Sequence, residues 1–273
     1  CSRCLAYQLE RFRLTADDVR GVHDAAKTAG LDFVCTPFDI PCVEWLSPLV
    51  DAFKIASGDN DFAELLDRVA VSGKPVIVST GFASIDHAIH LHSELSRRNC
   101  DHALLHCVGA YPVAPEDARL ATIVELRKRI SAPIGYSDHV LGIDACVTAV
   151  ALGAVIVENH LTLSHSYSDF RDHQLSAEPA EFAALRQRVD ATARMVGTPR
   201  DGLIDGEALN VATVRRSLVA ARDISPGETL RREDVLVVRP GDGLSASTLE
   251  RLIGATAQRP IARDSLLVLD DFV

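Results

Sequence analysis

The chain has 273 residues, of which 47% are hydrophobic and 24% are charged, and its formal net charge at pH 7 is −10. This composition is typical of a globular protein, and the negative charge argues against broad binding to nucleic acid or to an anionic membrane. No apolar run is long enough to span a bilayer and none resembles a secretory leader, so we expect neither nucleic-acid nor membrane partners.

The seven cysteines are odd in number and scattered along the chain. This pattern favours reduced thiols in the cytosol over a disulfide framework, so we predict a cytoplasmic protein. Cys1 and Cys4 form a single CxxC pair with no second pair, and we do not expect a metal there. Because the chain begins with Cys rather than Met, we expect it to be a piece of a longer protein.

Strands and helices are predicted to alternate along most of the chain. Short apolar runs predict strands at 32–36, 52–56, 75–79, 103–107, 133–136 and 154–158. Helical patterns cover 17–30, 62–72, 85–98, 118–130, 143–152 and 179–196. The alternation indicates parallel βαβ units. Six units, counted alone, favour an open doubly wound sheet over a closed (β/α)₈ barrel. No Gly-x-Gly-x-x-Gly follows any strand, so no dinucleotide site is predicted.

The character of the sequence changes after residue 196. The stretch 197–213 begins with Gly, Asp and Pro residues and is predicted to be a linker. From residue 214 to 273 short strands and turns are expected, with strands at 217–221, 224–228, 235–239 and 266–269 and one helix at 246–253. We therefore predict a first domain over 1–196 and a small, β-rich second domain over 214–273.

Polar residues recur at the carboxyl ends of the predicted strands. They are Thr36, Lys54, Ser57, Ser79, Thr80, His106, Tyr111, Ser137, Asp138, His139, Glu158 and His160. The carboxyl edge of a parallel sheet is where ligands bind in such domains. One polar strand end means little, but a polar group at every strand end predicts a site.

Lys54 lies inside an apolar strand, in Ala-Phe-Lys-Ile-Ala-Ser. A buried lysine is costly unless it is paired with an anion. It either extends to solvent at the strand edge, forms a Schiff base, or pairs with a phosphate. The hydroxyl groups at the neighbouring strand ends favour phosphate, because hydroxyl donors suit its oxygens.

His139 and His160 each follow the end of a predicted strand, and a helix separates the two strands. Strands joined in this way are often neighbours about 4.8 Å apart, which would place the two imidazoles side by side. Either both rings bond to the backbone, or they form a two-histidine metal site. In the second case Asp138 and Glu158 orient the rings or join the coordination sphere.

Other polar residues have less distinctive surroundings. Asp172 is expected in a loop after the His160 strand, where it is either solvated or placed to bind a polyol or move a proton. His87, His90 and His92 share one predicted surface helix and are expected to be solvated.

Several stretches resemble the sialic acid synthase family, which makes nonulosonic acids from phosphoenolpyruvate and an N-acylated hexose. They are Cys-Thr-Pro-Phe-Asp (35–39), Phe-Lys-Ile-Ala-Ser-Gly-Asp (53–59), Lys-Pro-Val-Ile-Val-Ser-Thr-Gly (74–81), Leu-Leu-His-Cys-Val-Gly-Ala-Tyr-Pro (104–112), Gly-Tyr-Ser-Asp-His (135–139) and Val-Glu-Asn-His-Leu-Thr-Leu (157–163). In addition, Val-Val-Arg-Pro-Gly-Asp-Gly (237–243) resembles the antifreeze-like (SAF) module of these enzymes. The resemblance extends over nearly the whole chain in the family's order.

The resemblance implies a (β/α)₈ TIM-type barrel that begins here after its second βα unit, followed by a SAF domain. Two strands would then be absent, together with a glutamate and a lysine that the family associates with its active site. An open barrel would expose a strand edge, so we expect the chain as given to be an incomplete catalyst.

The resemblance also implies roles for individual residues. His139 and His160 would hold Mn²⁺ or Mg²⁺, while Tyr111 and Asp172 would contact the sugar. Arg239 would reach the site of the other subunit in a domain-swapped homodimer. Phosphoenolpyruvate would bind to Thr36, Lys54, Ser57, Ser79 and Ser137, and we include Glu158 among the substrate-binding residues. His139, His160, Asp172 and Lys54 would form the catalytic set.

We therefore predict a metal-assisted condensation of phosphoenolpyruvate with an N-acyl hexosamine. The alternatives are a Schiff-base aldolase that uses Lys54, and an inactive remnant. Two positions depart from the family's pattern. Gly109 stands where many members have Asn, so we expect the acyl or amide end of the sugar to be recognised differently, and Asn159 stands where Lys or Arg is usual. The sequence leaves the sugar open among N-acetylmannosamine, its 6-phosphate and the legionaminic or pseudaminic precursors.

Overall fold

A six-stranded parallel sheet forms the centre of the first part of the protein in the computed structural model, which describes residues 13–273. Cys1 and Cys4 lie outside the described residues. The strands are β1 (Val34–Cys35), β2 (Ala52–Ile55), β3 (Val76–Ser79), β4 (His102–Cys107), β5 (Ile134–Ser137) and β6 (Val157–Glu158). The predicted parallel strands are confirmed, and β1 and β6 are shorter than the apolar runs that predicted them.

The strands lie side by side in their sequence order, β1 through β6, and every neighbouring pair is parallel. A doubly wound sheet reverses its order at a switch point. The open doubly wound sheet, which the strand count alone favoured, is therefore wrong. A sheet that winds in one direction is the pattern of a TIM-type barrel, so the fold class implied by the family resemblance is confirmed.

Helices connect the strands. They are α1 (Ala16–Thr28), α2 (Ile40–Leu46), α3 (Ala63–Val71), α4 (Ile85–Arg97), α5 (Ala121–Arg129), α6 (Asp144–Ala151), α7 (Arg171–Leu175) and α8 (Pro179–Val196). The sequence did not predict α2 and α7, which are short. None of the helices in the part of the chain that the structure describes is long and apolar enough to cross a membrane.

The core lies on both faces of the sheet. Leu104 and Leu105 are consecutive in β4 and both are fully buried, and Phe53 and Ile55 in β2 are equally inaccessible. Consecutive side chains of a strand point to opposite faces, so each face of β4 is covered. This is why the strands are continuously apolar in sequence, and why Lys54, between Phe53 and Ile55, is exceptional.

The three histidines of α4 differ in their surroundings. His90 is exposed, as predicted. His92 is half-buried, and its Nδ1 lies 2.7 Å from Nε2 of His102. His87 is also half-buried. The prediction that all three are solvated is wrong for His87 and His92, because one side of α4 packs on the sheet.

The second compact unit, Thr198–Val273, is built around an antiparallel pair, β7 (Ser217–Ala220) and β8 (Val235–Val238). Two short helices, α9 (Asp205–Val214) and α10 (Leu249–Leu252), belong to it. Much of the stretch predicted to be a linker is thus helical. The strand predicted at 224–228 is a single bridge between Ile224 and Ile261.

An internal repeat organises the second unit. Ile224 and Ile261 exchange two backbone hydrogen bonds of 2.8 and 2.9 Å. Around each isoleucine an arginine donates through Nε to a buried aspartate, at 2.7 Å in the first copy and 2.5 Å in the second. The equivalent residues are Arg222, Ile224, Leu230 and Asp234 in the first copy and Arg259, Ile261, Leu267 and Asp271 in the second. The unit therefore has a small core of two similar halves.

We expect Asp271→Ala to destabilise the second unit by about 1–3 kcal/mol, since Val268 N–H and Arg259 lose a shared, buried acceptor. The adjacent Asp270 is exposed, so Asp270→Ala is the matched control. Hydrogen exchange at the Ile224 and Ile261 amides measures the effect within this unit. Equal exchange rates in the two variants would contradict the role of the buried carboxylate.

Candidate active site

The carboxyl ends of the strands surround a cavity of about 350 Å³, here called the site cavity. Its lining includes most of the polar residues predicted from the sequence. These are Thr36, Lys54, Ser57, Ser79, Tyr111, Ser137, His139, Glu158 and His160. Because the sheet is parallel and in sequence order, residues more than 100 positions apart meet at this one edge.

Lys54 is buried on β2, with 8% of its surface exposed. Its ammonium group donates to Ser79 Oγ at 2.7 Å and to the carbonyl of Ile55 at 2.8 Å, and lies 3.7 Å from a Glu158 carboxylate oxygen. Burial lowers the pKa of Lys54, and the Glu158 charge opposes that shift. The side chain therefore does not extend to solvent, which removes one of the three interpretations left open by the sequence.

Hydroxyl groups and one carboxylate surround the ammonium. Ser137 Oγ donates to Glu158 Oε2 at 2.6 Å, and Ser79 Oγ lies 3.5 Å from the same oxygen. Ser57 Oγ accepts from the Gly81 amide at 3.0 Å. A cation with several hydroxyl groups around it is suited to an anion that accepts many hydrogen bonds, such as phosphate.

The two predicted histidines converge. The ring centroids of His139 and His160 are 5.3 Å apart. His139 Nδ1 lies 2.8 Å from the carbonyl of Val108, so this nitrogen donates and Nε2 is left to act as an acceptor or ligand. The hydrogen bond to the backbone therefore orients the His139 ring, and the ring still lies next to His160.

The environments of the two imidazoles shift their pKa values in opposite directions. Burial works against the charged form of His139, but the neighbouring Cys107 thiol and the Val108 carbonyl raise its pKa overall. Burial and the adjacent His139 charge lower the pKa of His160, despite nearby carboxylates that include Asp172. Two close imidazoles cannot both carry a charge cheaply, which is why the charge of one ring disfavours the charge of the other.

The pair fits a divalent metal. A metal–nitrogen bond of about 2.1 Å allows two rings that share an ion to have centroids up to about 6.5 Å apart, and the observed 5.3 Å is within that reach. The donated Nδ1–H of His139 is the arrangement that metal-bound histidines commonly show. Among residues 13–273 no group of three or more His, Cys, Asp or Glu side chains is arranged to hold a metal.

Tyr111 and Asp172 are close to the histidines. The Tyr111 ring centroid is 3.9 Å from that of His139 and 5.9 Å from that of His160. Asp172 lies in helix α7, not in the loop that the sequence predicted, and its charge partly opposes the lowering of the His160 pKa. Both residues are thus near the histidine pair, although Asp172 does not line the site cavity.

Asp138 does not face the cavity. Its carboxylate accepts from Tyr136 Oη at 3.0 Å, from the Val140 amide at 2.8 Å and from Cys146 Sγ at 3.0 Å. Burial raises its pKa. The expectation that Asp138 orients the histidine rings or binds the metal is wrong, since its oxygens are used within the core. Its hydrogen bond to Val140 fixes the turn that follows His139.

The alternation of side chains in β4 separates two neighbouring residues. Cys107 faces the site cavity, and its Sγ is 3.9 Å from His139 Nδ1. His106 was expected at the ligand edge, but its Nε2 bonds to the Ala118 carbonyl at 2.8 Å. Thr80 likewise bonds to the Leu105 carbonyl. Side chains alternate between the two faces of a strand, and this alternation could have shown that only one of His106 and Cys107 faces the site cavity. Polarity alone favoured His106, which is the wrong one of the two.

Phe82 is a site residue that the sequence did not suggest. It lines the site cavity, is 79% exposed and has a φ of 61°. An aromatic residue rarely adopts this left-handed conformation. Gly81 before it is held by Ser57, which fixes the start of the loop.

Arg239 belongs to the second unit. Its Nε donates to the Val214 carbonyl at 2.8 Å, which anchors the side chain beside the end of α9. Its predicted role at another subunit's site remains a prediction.

Comparison with known proteins shows clear similarity. The chain is 36% identical over 98% of its length to an uncharacterized protein of Methanocaldococcus jannaschii, of which it covers 80%. It is 33% identical over 89% of its length to the N,N'-diacetyllegionaminic acid synthase of Campylobacter jejuni, of which it covers 73%. It is 36% identical over 83% of its length to the N-acetylneuraminate-9-phosphate synthase of Mus musculus, of which it covers 63%.

Among solved structures, the putative spore coat polysaccharide biosynthesis protein E of Chromobacterium violaceum superimposes with a TM-score of 0.83. It is 28% identical to this chain, and the match covers 98% of this chain and 81% of that one. The family models match in two consecutive parts, the NeuB family over residues 3–201 and the SAF domain over residues 215–273. The resemblance found in the sequence is confirmed: the chain belongs to the NeuB family and carries a SAF domain after its NeuB part.

Proposed function

We propose that the protein condenses phosphoenolpyruvate with an N-acyl hexosamine to give a nonulosonic acid and inorganic phosphate. C3 of phosphoenolpyruvate forms a bond to the aldehyde carbon of the open-chain sugar. Water adds to C2 of the former phosphoenolpyruvate, and phosphate leaves. The observation that carries the proposal is a buried ammonium group among hydroxyls in the same cavity as two converging imidazoles.

Lys54 and the hydroxyls supply the anion end of the site. The ammonium group offsets the negative charge of phosphoenolpyruvate, and Ser57 and Ser79 donate to its oxygens, while the single O–H of Ser137 is donated to Glu158. Glu158 already accepts from Ser137 and lies near Lys54, so it holds both groups in place before the substrate arrives. Such preorganisation avoids a reorganisation cost during the reaction.

His139 and His160 supply the electrophilic end. They would hold Mn²⁺ or Mg²⁺, which when bound polarises a carbonyl oxygen as a Lewis acid. The backbone contact at Val108 keeps the His139 ring in the orientation that presents Nε2. Tyr111 packs against the His139 ring and Asp172 lies near His160, which supports the proposal that both contact the hydroxyl groups of the sugar.

The names of the relatives indicate the class of sugar that we propose as the substrate. One acts as a legionaminic acid synthase and another as a synthase of a 9-phosphorylated sialic acid. Their shared feature is an acylamino hexose, and we propose that class as the substrate of this chain. The choice within the class depends on the residues around the acyl and hydroxyl groups.

A Schiff-base aldolase that uses Lys54 is the second candidate, because burial lowers the pKa of this lysine, which imine formation requires. However, the ammonium group donates to Ser79 and Ile55 and faces a carboxylate. These contacts stabilise the charged form, whereas imine formation needs the neutral amine. The condensation is therefore the better-supported function.

We also propose a domain-swapped homodimer in which Arg239 reaches the site of the partner. A guanidinium group can bind a carboxylate, a phosphate or an acyl oxygen with two N–H donors. Anchoring through Nε to Val214 pre-orients the side chain. A cytosolic location is consistent with the thiols, since Cys35, Cys42, Cys100, Cys107 and Cys146 are all free in the described chain.

Replacing Lys54 tests the anion end of the site. Inorganic phosphate should raise the unfolding temperature of the protein, because a ligand that binds only the folded state stabilises it. Lys54→Met should weaken phosphate binding by at least about tenfold through loss of a buried, charged hydrogen-bond donor. Lys128→Met, at an exposed position on α5, is the control. A phosphate shift that persists in Lys54→Met would contradict the proposed cradle.

Replacing His139 tests the metal-binding end. In the complete protein with Mn²⁺, phosphate release from phosphoenolpyruvate and an N-acyl hexosamine should fall by at least about a thousandfold in His139→Ala. His90→Ala removes an exposed imidazole from α4 and should retain full activity. Near-normal turnover by His139→Ala would rule out the metal role.

The same preparation separates the two candidate reactions. Borohydride reduces an imine and would attach pyruvate or sugar covalently to Lys54 in an aldolase. The condensation forms no imine, so we expect no such adduct by mass spectrometry. A stoichiometric adduct on Lys54 would replace the condensation with the aldolase.

The swapped dimer predicts complementation between two inactive variants. Arg239→Ala and His139→Ala should each be impaired alone. Co-expressed, they should regain about a quarter of wild-type activity, because half of the random dimers are mixed and each mixed dimer has one intact site. Recovery no greater than the sum of the separate variants would show that Arg239 acts within its own subunit or not at all.

A further inference from the structure

A second cavity of about 550 Å³ lies beside the site cavity, and we call it the lateral cavity. It opens between α4 and α5 and is mainly apolar, with contributions from Ile85, Ala88, Val108 and Leu126. Its volume is in the range of small-molecule sites. None of the groups assigned to the proposed reaction so far requires this space.

Phe82 stands between the two cavities and lines both of them. It adopts a φ of 61°, a conformation that costs an aromatic residue energy and persists only where the surroundings enforce it. Such outliers concentrate at functional sites. The ring is also 79% exposed, so burial of its own surface does not explain its position.

Gly109 explains how the ring is accommodated. A Cβ atom built on Gly109 would lie 2.1 Å from Cζ of Phe82, far inside van der Waals contact. Gly109 does not adopt a positive φ, so a side chain at this position would meet the movable Phe82 ring and not a backbone restriction. Phe82 and Gly109 are therefore a contacting pair, in which the ring occupies the space that a side chain at position 109 would take.

The pair lies at the sugar end of the site. Gly109 follows Val108, whose carbonyl orients His139, and precedes Tyr111 by two residues. In the proposed substrate the acylamino group is on the carbon next to the aldehyde, whose oxygen is directed to the histidine pair. Phe82 lines the cavity that also contains both histidines, so a sugar bound there has its acyl group in the same cavity as the ring.

We propose that Phe82, seated on Gly109, determines the acyl specificity of the enzyme by closing the lateral cavity to the acyl chain of the sugar. This inference rests on the proposed function and deepens it. With the ring in place, the substrate is limited to a short acyl group such as acetyl. Without it, the two cavities merge and a longer apolar chain gains a surface to bury. Each methylene so buried favours binding by about fourfold.

The test compares N-acetyl- and N-butanoylmannosamine in phosphate-release assays on the complete protein with Mn²⁺. Wild type should prefer the acetyl sugar. In Phe82→Ala the ratio of kcat/KM for butanoyl over acetyl should rise by at least about tenfold, since two added methylenes enter the lateral cavity. KM for phosphoenolpyruvate should stay unchanged. Phe38→Ala, another exposed phenylalanine, is the control and should leave the preference unaltered.

Gly109→Ala supplies an independent second variant, because its methyl group displaces the ring without removing it. It should change the acyl preference when Phe82 is present and have little effect in a Phe82→Ala background. This inference alone would be overturned if wild type is active and both Phe82→Ala and Gly109→Ala keep its butanoyl-over-acetyl ratio of kcat/KM within twofold. Absence of phosphate release from wild type with every sugar would overturn the proposed function and this inference with it.

Discussion

The burial of one cation in a parallel sheet constrains the whole site. Lys54 lies between two fully buried residues of β2, where an unpaired ammonium group would be strongly destabilising. Its neighbours on β3 and β6, Ser79 and Glu158, supply an acceptor and a partial counter-charge. The carboxylate is itself shared with Ser137. The positive charge of Lys54 is therefore only partly neutralised by these groups, and an anionic substrate can neutralise the rest.

The strand order makes this arrangement possible. Neighbouring strands follow one another in sequence, so each successive strand adds its carboxyl end to the same rim. The anion end uses β2, β3 and β5, whereas the histidines come from the segments after β5 and β6. One rim thus presents a buried cation and a pair of imidazoles, an arrangement suited to the proposed reaction between two different substrates.

The loops after the strands decide the fine geometry. Val108, just beyond β4, orients His139 through its carbonyl, and Gly109 beside it makes room for Phe82. The same few residues thus position the His139 ring and a wall of the cavity. A substitution in this loop would be felt at both places, because packed neighbours adjust together rather than independently.

The sequence by itself determined the parallel α/β architecture, the family and nine residues of the site cavity, because apolar runs and the polar residues that end them are local patterns. It also marked Lys54 as exceptional, since a charge within an apolar run needs no structure to be noticed. The strand count alone indicated the wrong sheet, and only the order of the strands in space corrected it. Polarity placed His106 and Asp138 at the site, while the structure turned both away and brought Cys107 and Phe82 in. Which face a strand-end residue presents, and which distant residue it meets, depends on register and packing, and these are properties of the folded chain.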